Sequence, residues 1–138
     1  MGSSSKETNT MAISLGHVAH FSLAVTDPTT SAAWWLSLFD LEEWARSANR
    51  VVVGNDAFAM SLIKGTPDPS ALTHMAFRTS DMSSLKSARD FLRDRGVALE
   101  DPGDEIGPVA EGSQSVGIWF RDVDGYRWEL YLAAEDIA

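Results

Sequence analysis

The chain has 138 residues, with eleven Lys or Arg against twenty Asp or Glu, for a formal charge of −9. That charge repels phosphate backbones and anionic membrane surfaces, so neither nucleic acid nor a membrane is an expected partner. No cysteine is present, which excludes disulfides, thiolate nucleophiles and cysteine-bound zinc or iron–sulfur clusters, and leaves nitrogen and oxygen to hold any metal.

The length suits one domain with a proper core. No apolar run approaches the ~18 to 20 residues of a membrane span. Residues 1–15 open on MGSSSKETNT, a polar stretch without the apolar segment of a secretory signal, and read as a disordered leader to a cytoplasmic protein. The domain is expected over residues 16–134 as two repeats, 16–64 and 72–134, with a tail at 135–138.

Each repeat begins with the same phrase. Residues 20–27 read HFSLAVTD and residues 74–81 read HMAFRTSD, so 74 − 20 and 81 − 27 both give 54. Alternating apolar side chains mark each as a strand. An amphipathic helix follows in both: TTSAAWWLSLFDLEEW, with Thr29 as a capping candidate, and MSSLKSARDFLRDRG, with Ser83. In the second helix Leu85, Ala88, Phe91 and Leu92 share a face, and Gly96 supplies a stop. Then come RVVVGNDAFAMSLIKG and SVGIWFRDVDGYRWELYLA, each a pair of strand-like runs around a turn, at Gly54-Asn55 and Asp124-Gly125. KGTPDPSAL, residues 64–72, reads as the linker. EDPGDEIGPVAEGSQS, residues 100–115, is an acidic insertion without an upstream counterpart and the candidate for a lid. The expected class is α+β, two βαβββ modules.

Alternation assigns faces. Phe21, Leu23 and Val25 suit packing under a helix, and so do Met75 with Phe77 and Trp128 with Leu130 and Leu132. His20, Ser22 and Ala24 lie opposite, as do His74, Ala76 and Arg78, and Arg127, Glu129 and Tyr131. If the two sheets curve around a common cavity, His20, His74 and Glu129 meet in it as the donor set of an open-sided divalent metal site.

These three strands resemble the signature strands of the vicinal oxygen chelate superfamily, which holds glyoxalase I, extradiol dioxygenases, fosfomycin-resistance enzymes, methylmalonyl-CoA epimerase and bleomycin-resistance proteins. The resemblance covers residues 16–134 and implies paired βαβββ modules forming a cup around a metal, usually within a homodimer. It also implies ligands on the first and last strands of each module, which here are His20, His74 and Glu129. Counting back from the turn pairs Phe120 with Val52, Asp122 with Gly54 and Glu129 with Ser61, each 68 apart. Ser61 therefore stands where glyoxalase I carries a carboxylate that helps to move the substrate proton, and its neutral hydroxyl is a poor ligand and base.

Other readings stay open at several positions. Glu129 is either a ligand or the partner of Arg78 or Arg127, since an unpaired buried carboxylate is costly. Arg78 is either that partner or a clamp for an anionic substrate group. Trp119 is a candidate wall for a flat ligand or a core residue. Tyr131, two residues beyond Glu129, is a candidate hydrogen-bond donor or weak acid. His17, Trp34, Trp35 and Tyr126 read as structural.

The function expected is a divalent-metal enzyme of glyoxalase or extradiol-dioxygenase type, acting on a small oxygen-rich molecule. Fe²⁺ or Mn²⁺ is the first expectation, with Zn²⁺, Ni²⁺ or Mg²⁺ also compatible with the donors. The alternative is a resistance protein of bleomycin-binding type that sequesters a cationic drug without turnover.

Overall fold

The computed structural model of the chain describes residues 12–100 and 106–137. Residues 1–11 of the expected leader and 101–105 of the expected lid lie outside the described residues.

The two repeated phrases begin two equivalent units. Strand β1 (His20–Val25) runs into helix α1 (Pro28–Leu38), and the rest of the first unit is β2 (Glu42–Ser47), β3 (Arg50–Gly54) and β4 (Ala59–Lys64). The second unit is β5 (Met75–Arg78), α2 (Met82–Asp94), the short pairings β6 (Leu99–Glu100) and β7 (Gly107–Pro108), then β8 (Val116–Arg121) and β9 (Arg127–Leu132). The α+β class with two repeated modules is thus as the sequence suggested.

The repeated aspartates cap the helices. Asp27 accepts from the N–H groups of Thr29 at 3.0 Å and Thr30 at 3.5 Å, and Asp81 accepts from that of Ser84 at 2.7 Å. These bonds satisfy donors left over in the first turn, and they hold both carboxyls below the usual range. Thr29 and Ser83, the expected caps, lie inside the helical segments. Pro28 at the first helical position costs nothing there because that N–H has no helical partner. Helix α2 ends as expected, with Gly96 at φ +79°. Helix α1 stops at Leu38, earlier than its apolar pattern suggested, and Glu42–Ser47 forms an edge strand exposed at every residue. A strand with neither face buried shows no alternation to read.

The first sheet has the order β1-β4-β3-β2, and the second β5-β9-β8-β6, with β7 also on β8. The first strand of each module pairs in parallel with the last. One core lies between the sheets, where Trp35, Phe120, Trp128, Met60 and Leu62 are fully buried. Each such side chain contributes about 1.5–3 kcal/mol in lost apolar hydration. Aromatic rings of the two helix-side faces meet across it: Phe58 with Phe77 at 4.9 Å, Phe21 with Trp128 at 6.0 Å and Trp35 with Trp128 at 4.9 Å. The modules therefore pack with their helix sides inward, and the two polar faces are turned outward, away from that core.

The turn between β8 and β9 fastens one module to the other. Asp122 accepts from the N–H groups of Asp124 and Tyr126 and from the Trp128 indole, all within 3.0 Å. Tyr126 donates its hydroxyl to Ala24 O at 2.6 Å, and Asp124 accepts from Thr26 N–H and the Ser31 hydroxyl. Tyr126 is structural, as expected.

Candidate active site

Glu129 sits in the middle of the second sheet, on β9, opposite Ala76 of β5 on one side and Trp119 of β8 on the other. Strand β8 makes room for it with Gly117. A Cβ there would lie 2.8 Å from Glu129 Oε2 and 2.7 Å from the Leu130 carbonyl, so no side chain fits. The carboxylate is 3% exposed, and its Oε2 has no hydrogen-bond partner. Loss of water pushes its pKa above the usual carboxylate range, with the Arg127 charge opposing the shift.

His74 lies just before β5 with its Nε2 3.8 Å from Glu129 Oε1, too long for a hydrogen bond. Its ring meets Trp119 edge-on at 4.8 Å, and the Arg127 guanidinium covers the Trp119 face at 4.0 Å while pairing with Glu100 at 2.9 Å. His74, Trp119 and Arg127 open onto a cleft of about 560 Å³ whose far wall is residues 108–111. That wall belongs to the expected lid. Its described part folds back onto β8 through β7 and the bond from Val109 N–H to Ser115 O.

Tyr131 follows on the same face, with its hydroxyl donating to Ser115 Oγ at 3.2 Å, and that oxygen also accepts the Ala134 N–H at 3.0 Å. Arg78 is not the partner of Glu129. It pairs instead with Asp136 at 2.7 Å and Glu135 at 3.5 Å, in the short helical turn Ala134–Asp136. Any anion bound by Arg78 would compete with Asp136.

His20 and Ser61 are elsewhere, on the outward face of the first sheet, His20 exposed and Ser61 half-buried. Among the described residues, no three His, Asp or Glu side chains are placed to hold a metal ion. The expectation that His20 joins His74 and Glu129 within one chain therefore fails. The cause is the direction of packing, which puts the helix sides together and the donors outside.

The match of Ser61 to Glu129 does hold in the strand pairing. Ser22 is opposite Ser61, Ala76 is opposite Glu129, and 76 − 22 is 54, the spacing of the repeat. The match of Phe120 to Val52 shifts by one. Ser61 faces Val52 whereas Glu129 faces Trp119, because four residues join β3 to β4 and five join β8 to β9. Sequence reasoning passed over Gly117, although a glycine within a strand is a sign of close approach. It also passed over Ser115, for which the sequence offers no comparable sign.

Residues 15–130 match the profile of the Glyoxalase/Bleomycin resistance protein/Dioxygenase superfamily. The chain belongs to this superfamily. Solved structures share the superfamily fold at low identity. A glyoxalase/bleomycin resistance protein/dioxygenase from Nocardioides is 17% identical with a TM-score of 0.72, over 90% of this chain and 87% of that one. Lactoylglutathione lyase from Agrobacterium tumefaciens is 14% identical with a TM-score of 0.70, over 88% and 96%. An integron cassette protein from the mobile metagenome of the Halifax Harbour sewage outfall is 20% identical with a TM-score of 0.69, over 86% and 99%. No curated protein matches the chain. Among the described residues of this superfamily member, no helix is long and apolar enough to cross a membrane.

The donors fit a divalent cation in part. His74 and Glu129 lie 3.8 Å apart and supply nitrogen and oxygen, and the orphaned Oε2 lacks the partner that a buried carboxylate oxygen requires. Among the described residues, no group of three His, Asp or Glu side chains supplies a third donor there.

Proposed function

We propose that this superfamily member is a divalent-metal-dependent enzyme acting on a small, oxygen-rich molecule, and that it works as a homodimer. The ligands are His74 and Glu129 of one protomer with His20 of the partner subunit. The observation that carries the reading is the buried Glu129 carboxylate, whose Oε2 has no hydrogen-bond partner and whose Oε1 lies 3.8 Å from His74, a residue that lines the cleft. Such an oxygen costs about 1–3 kcal/mol unless something satisfies it. A cation does so, and the outward placement of His20 suits a site closed by a second copy.

When bound, the ion supplies Lewis-acid stabilisation of negative charge developing on two adjacent substrate oxygens. Fe²⁺ or Mn²⁺ suits this mixed imidazole and carboxylate set, and Zn²⁺, Ni²⁺ and Mg²⁺ are compatible with it. This chain's own residues do the rest. Trp119 and residues 108–111 wall the cleft and limit water. Tyr131, two residues beyond Glu129 on that face, serves as donor or weak acid to the substrate by giving up its hydrogen bond to Ser115 Oγ. Arg78 binds an anionic substrate group only by displacing Asp136. Ser61 contributes a neutral hydroxyl to the substrate, so the proton-moving carboxylate of glyoxalase I has no counterpart there. Sequestration of a cationic drug by stacking on Trp119 is less well supported, because Arg127 already covers that ring.

The test is metal content and complementation. Tag-free protein is expected to carry about one divalent ion per chain, and His20→Ala, His74→Ala and Glu129→Ala each to lose it. Mixed and reassembled, H20A and E129A chains form dimers with one intact site, restoring about one quarter of the wild-type metal sites by statistical pairing. Full retention of metal in the three variants would refute the ligand assignment. Metal loss without restoration on mixing would refute the shared site.

A further inference from the structure

Two arginines stand directly opposite each other on the outward face of the second sheet. Arg121 of β8 pairs in register with Arg127 of β9, next to the Trp119–Glu129 pair. Like charges placed this way repel and weaken a sheet. The equivalent position in the first module is Gly54 opposite Ala59, with 127 − 59 again 68, so the repeated fold forms without charge there. The two guanidiniums share one carboxylate, Glu100, 2.9 Å from Arg127 Nε and 3.3 Å from Arg121 Nε. Arg121 Nη1 also donates to the Gly125 carbonyl at 2.8 Å. Arg127 donates only through its Nε, and among the described residues nothing accepts from its two terminal amino groups. Neither of those groups is sealed from solvent. Arg127 borders both the His74 cleft and a wider one of about 780 Å³, walled by Pro69, Ser70, Thr73, Glu100 and Arg121. Glu111, on the far wall of the His74 cleft, is exposed and pairs with neither arginine.

We infer that the ligand of the His74 cleft is a small carboxylic acid, whose carboxylate takes the free fork of Arg127 with the Arg121 charge and the Thr73 hydroxyl beside it. This rests on the reading of that cleft as the substrate site, and it names the class of substrate. The two terminal N–H groups of one guanidinium match the two oxygens of a carboxylate. The bond to Glu100 and the contact with the Trp119 ring hold the fork in place before the ligand arrives, which lowers the cost of binding. Arg78 offers such a clamp only by releasing Asp136, whereas Arg127 offers it without losing a partner. Arg127 precedes Glu129 by two residues, about 7 Å along the strand. The carboxylate and the chelating oxygens therefore belong to opposite ends of the substrate.

The experiment titrates benzoate into ¹⁵N-labelled, metal-free full-length protein and follows the Arg127 Nε–H and Thr73 amide resonances. The expected result is a saturable movement of both. Benzamide, which has the same shape but no charge, is expected to bind about tenfold more weakly. Arg127→Gln is expected to weaken benzoate, followed at Thr73, by about the same factor, and Arg127→Lys, which keeps the charge but not the fork, by less. Arg121→Gln leaves the Trp119 contact untouched and is expected to weaken benzoate about threefold. Immobile signals up to ~50 mM benzoate, where even weak sites fill, overturn the inference. So does equal affinity for benzoate and benzamide, or unchanged binding in both glutamine variants. In Zn²⁺-loaded protein, 3,4-dihydroxybenzoate, with its two groups at opposite ends of one ring, is expected to bind at least tenfold more tightly than benzoate. Equal binding there overturns the placement of both groups on one ligand. The benzoate titration needs no metal, so its failure leaves the metal ligands standing, and an absence of metal from the purified protein leaves the titration valid.

Discussion

The two outward faces of this molecule share a scaffold but not a chemistry. On the first sheet the central position of β4 is Ser61, half-buried, with exposed Ser22 beside it. On the second sheet the equivalent position of β9 is Glu129, 3% exposed, with room made for it by Gly117 on the neighbouring strand. A repeat that keeps its strands, caps and pairing has concentrated the costly group in one half. Stability does not require that group, because the other half folds in the same way without it. The buried carboxylate is therefore more informative about function than the repeat itself.

The sharpest way to break the comparison is at the position that makes room for the acid. Gly117 pairs with Tyr131 on the second sheet, and its counterpart on the first is Arg50, which pairs with Ile63; 131 − 63 is again 68. Gly117→Ala places a Cβ against the Leu130 carbonyl and Glu129 Oε2. It is expected to destabilise the protein by about 3 kcal/mol, near the top of the range for overpacking a filled interior. Arg50→Ala, at an exposed site, is expected to stay within about 0.5 kcal/mol of the wild type. Urea unfolding of the two variants side by side measures the difference. Similar losses in both would mean that the two faces are not built differently.

The turns offer a second contrast. Asn55 in the first module accepts from the N–H groups of Ala57 and Phe58, as Asp122 does from those of Asp124 and Tyr126 in the second. Asp122 is buried as well and accepts the Trp128 indole N–H. In Asp122→Asn the amide oxygen can serve the backbone, but its NH₂ then meets the indole donor, at a cost of about 2 kcal/mol. Asn55→Asp is expected to be nearly neutral. Burial raises the Asp122 pKa above its ordinary 3.8, against the three hydrogen bonds. For an acid with a raised folded pKa, the folded state binds the proton more readily. Its contribution to stability is thus complete below pH ~3.8 and declines as pH rises through the folded value. The gap between wild type and Asp122→Asn should narrow over that interval and then level off. A gap that widens with pH would reverse the assigned balance between burial and hydrogen bonding.

Much of this was legible in the sequence, because it is written in local pattern. The spacing of 54 gave the modules, alternation gave the two faces of each sheet, and the Ser61–Glu129 equivalence survived in the strand pairing. The caps were misassigned to Thr29 and Ser83, although the repeated aspartates were already conspicuous. The end of α1 was missed because Phe39 and Leu41 prolong the apolar pattern into a turn. What alternation cannot reveal is which face of one module turns toward the other. That depends on how Trp35, Phe58, Phe77 and Trp128 fit together across the core, a contact between segments distant in sequence. The placement of His20 followed from that packing, and so could not be read from its own neighbours.

The gentlest probe restores symmetry between the faces. Ser61→Glu puts a carboxylate where the first module lacks one, next to exposed Ser22 and half-buried Val52. Exposed His20 and Ser22 on the same face leave the new carboxylate access to water. Stability is expected to change by less than about 0.5 kcal/mol, as for an ordinary surface substitution. If two protomers share a metal site, however, the added carboxylate joins His20 on the same face and supplies a fourth donor, raising metal affinity by roughly tenfold. Chelator competition measures that gain, and urea unfolding of metal-free protein measures the stability separately. A substantial loss of stability would show that the first face is more enclosed than its exposure indicates. Unchanged metal affinity with intact folding would count against a site that draws on both faces.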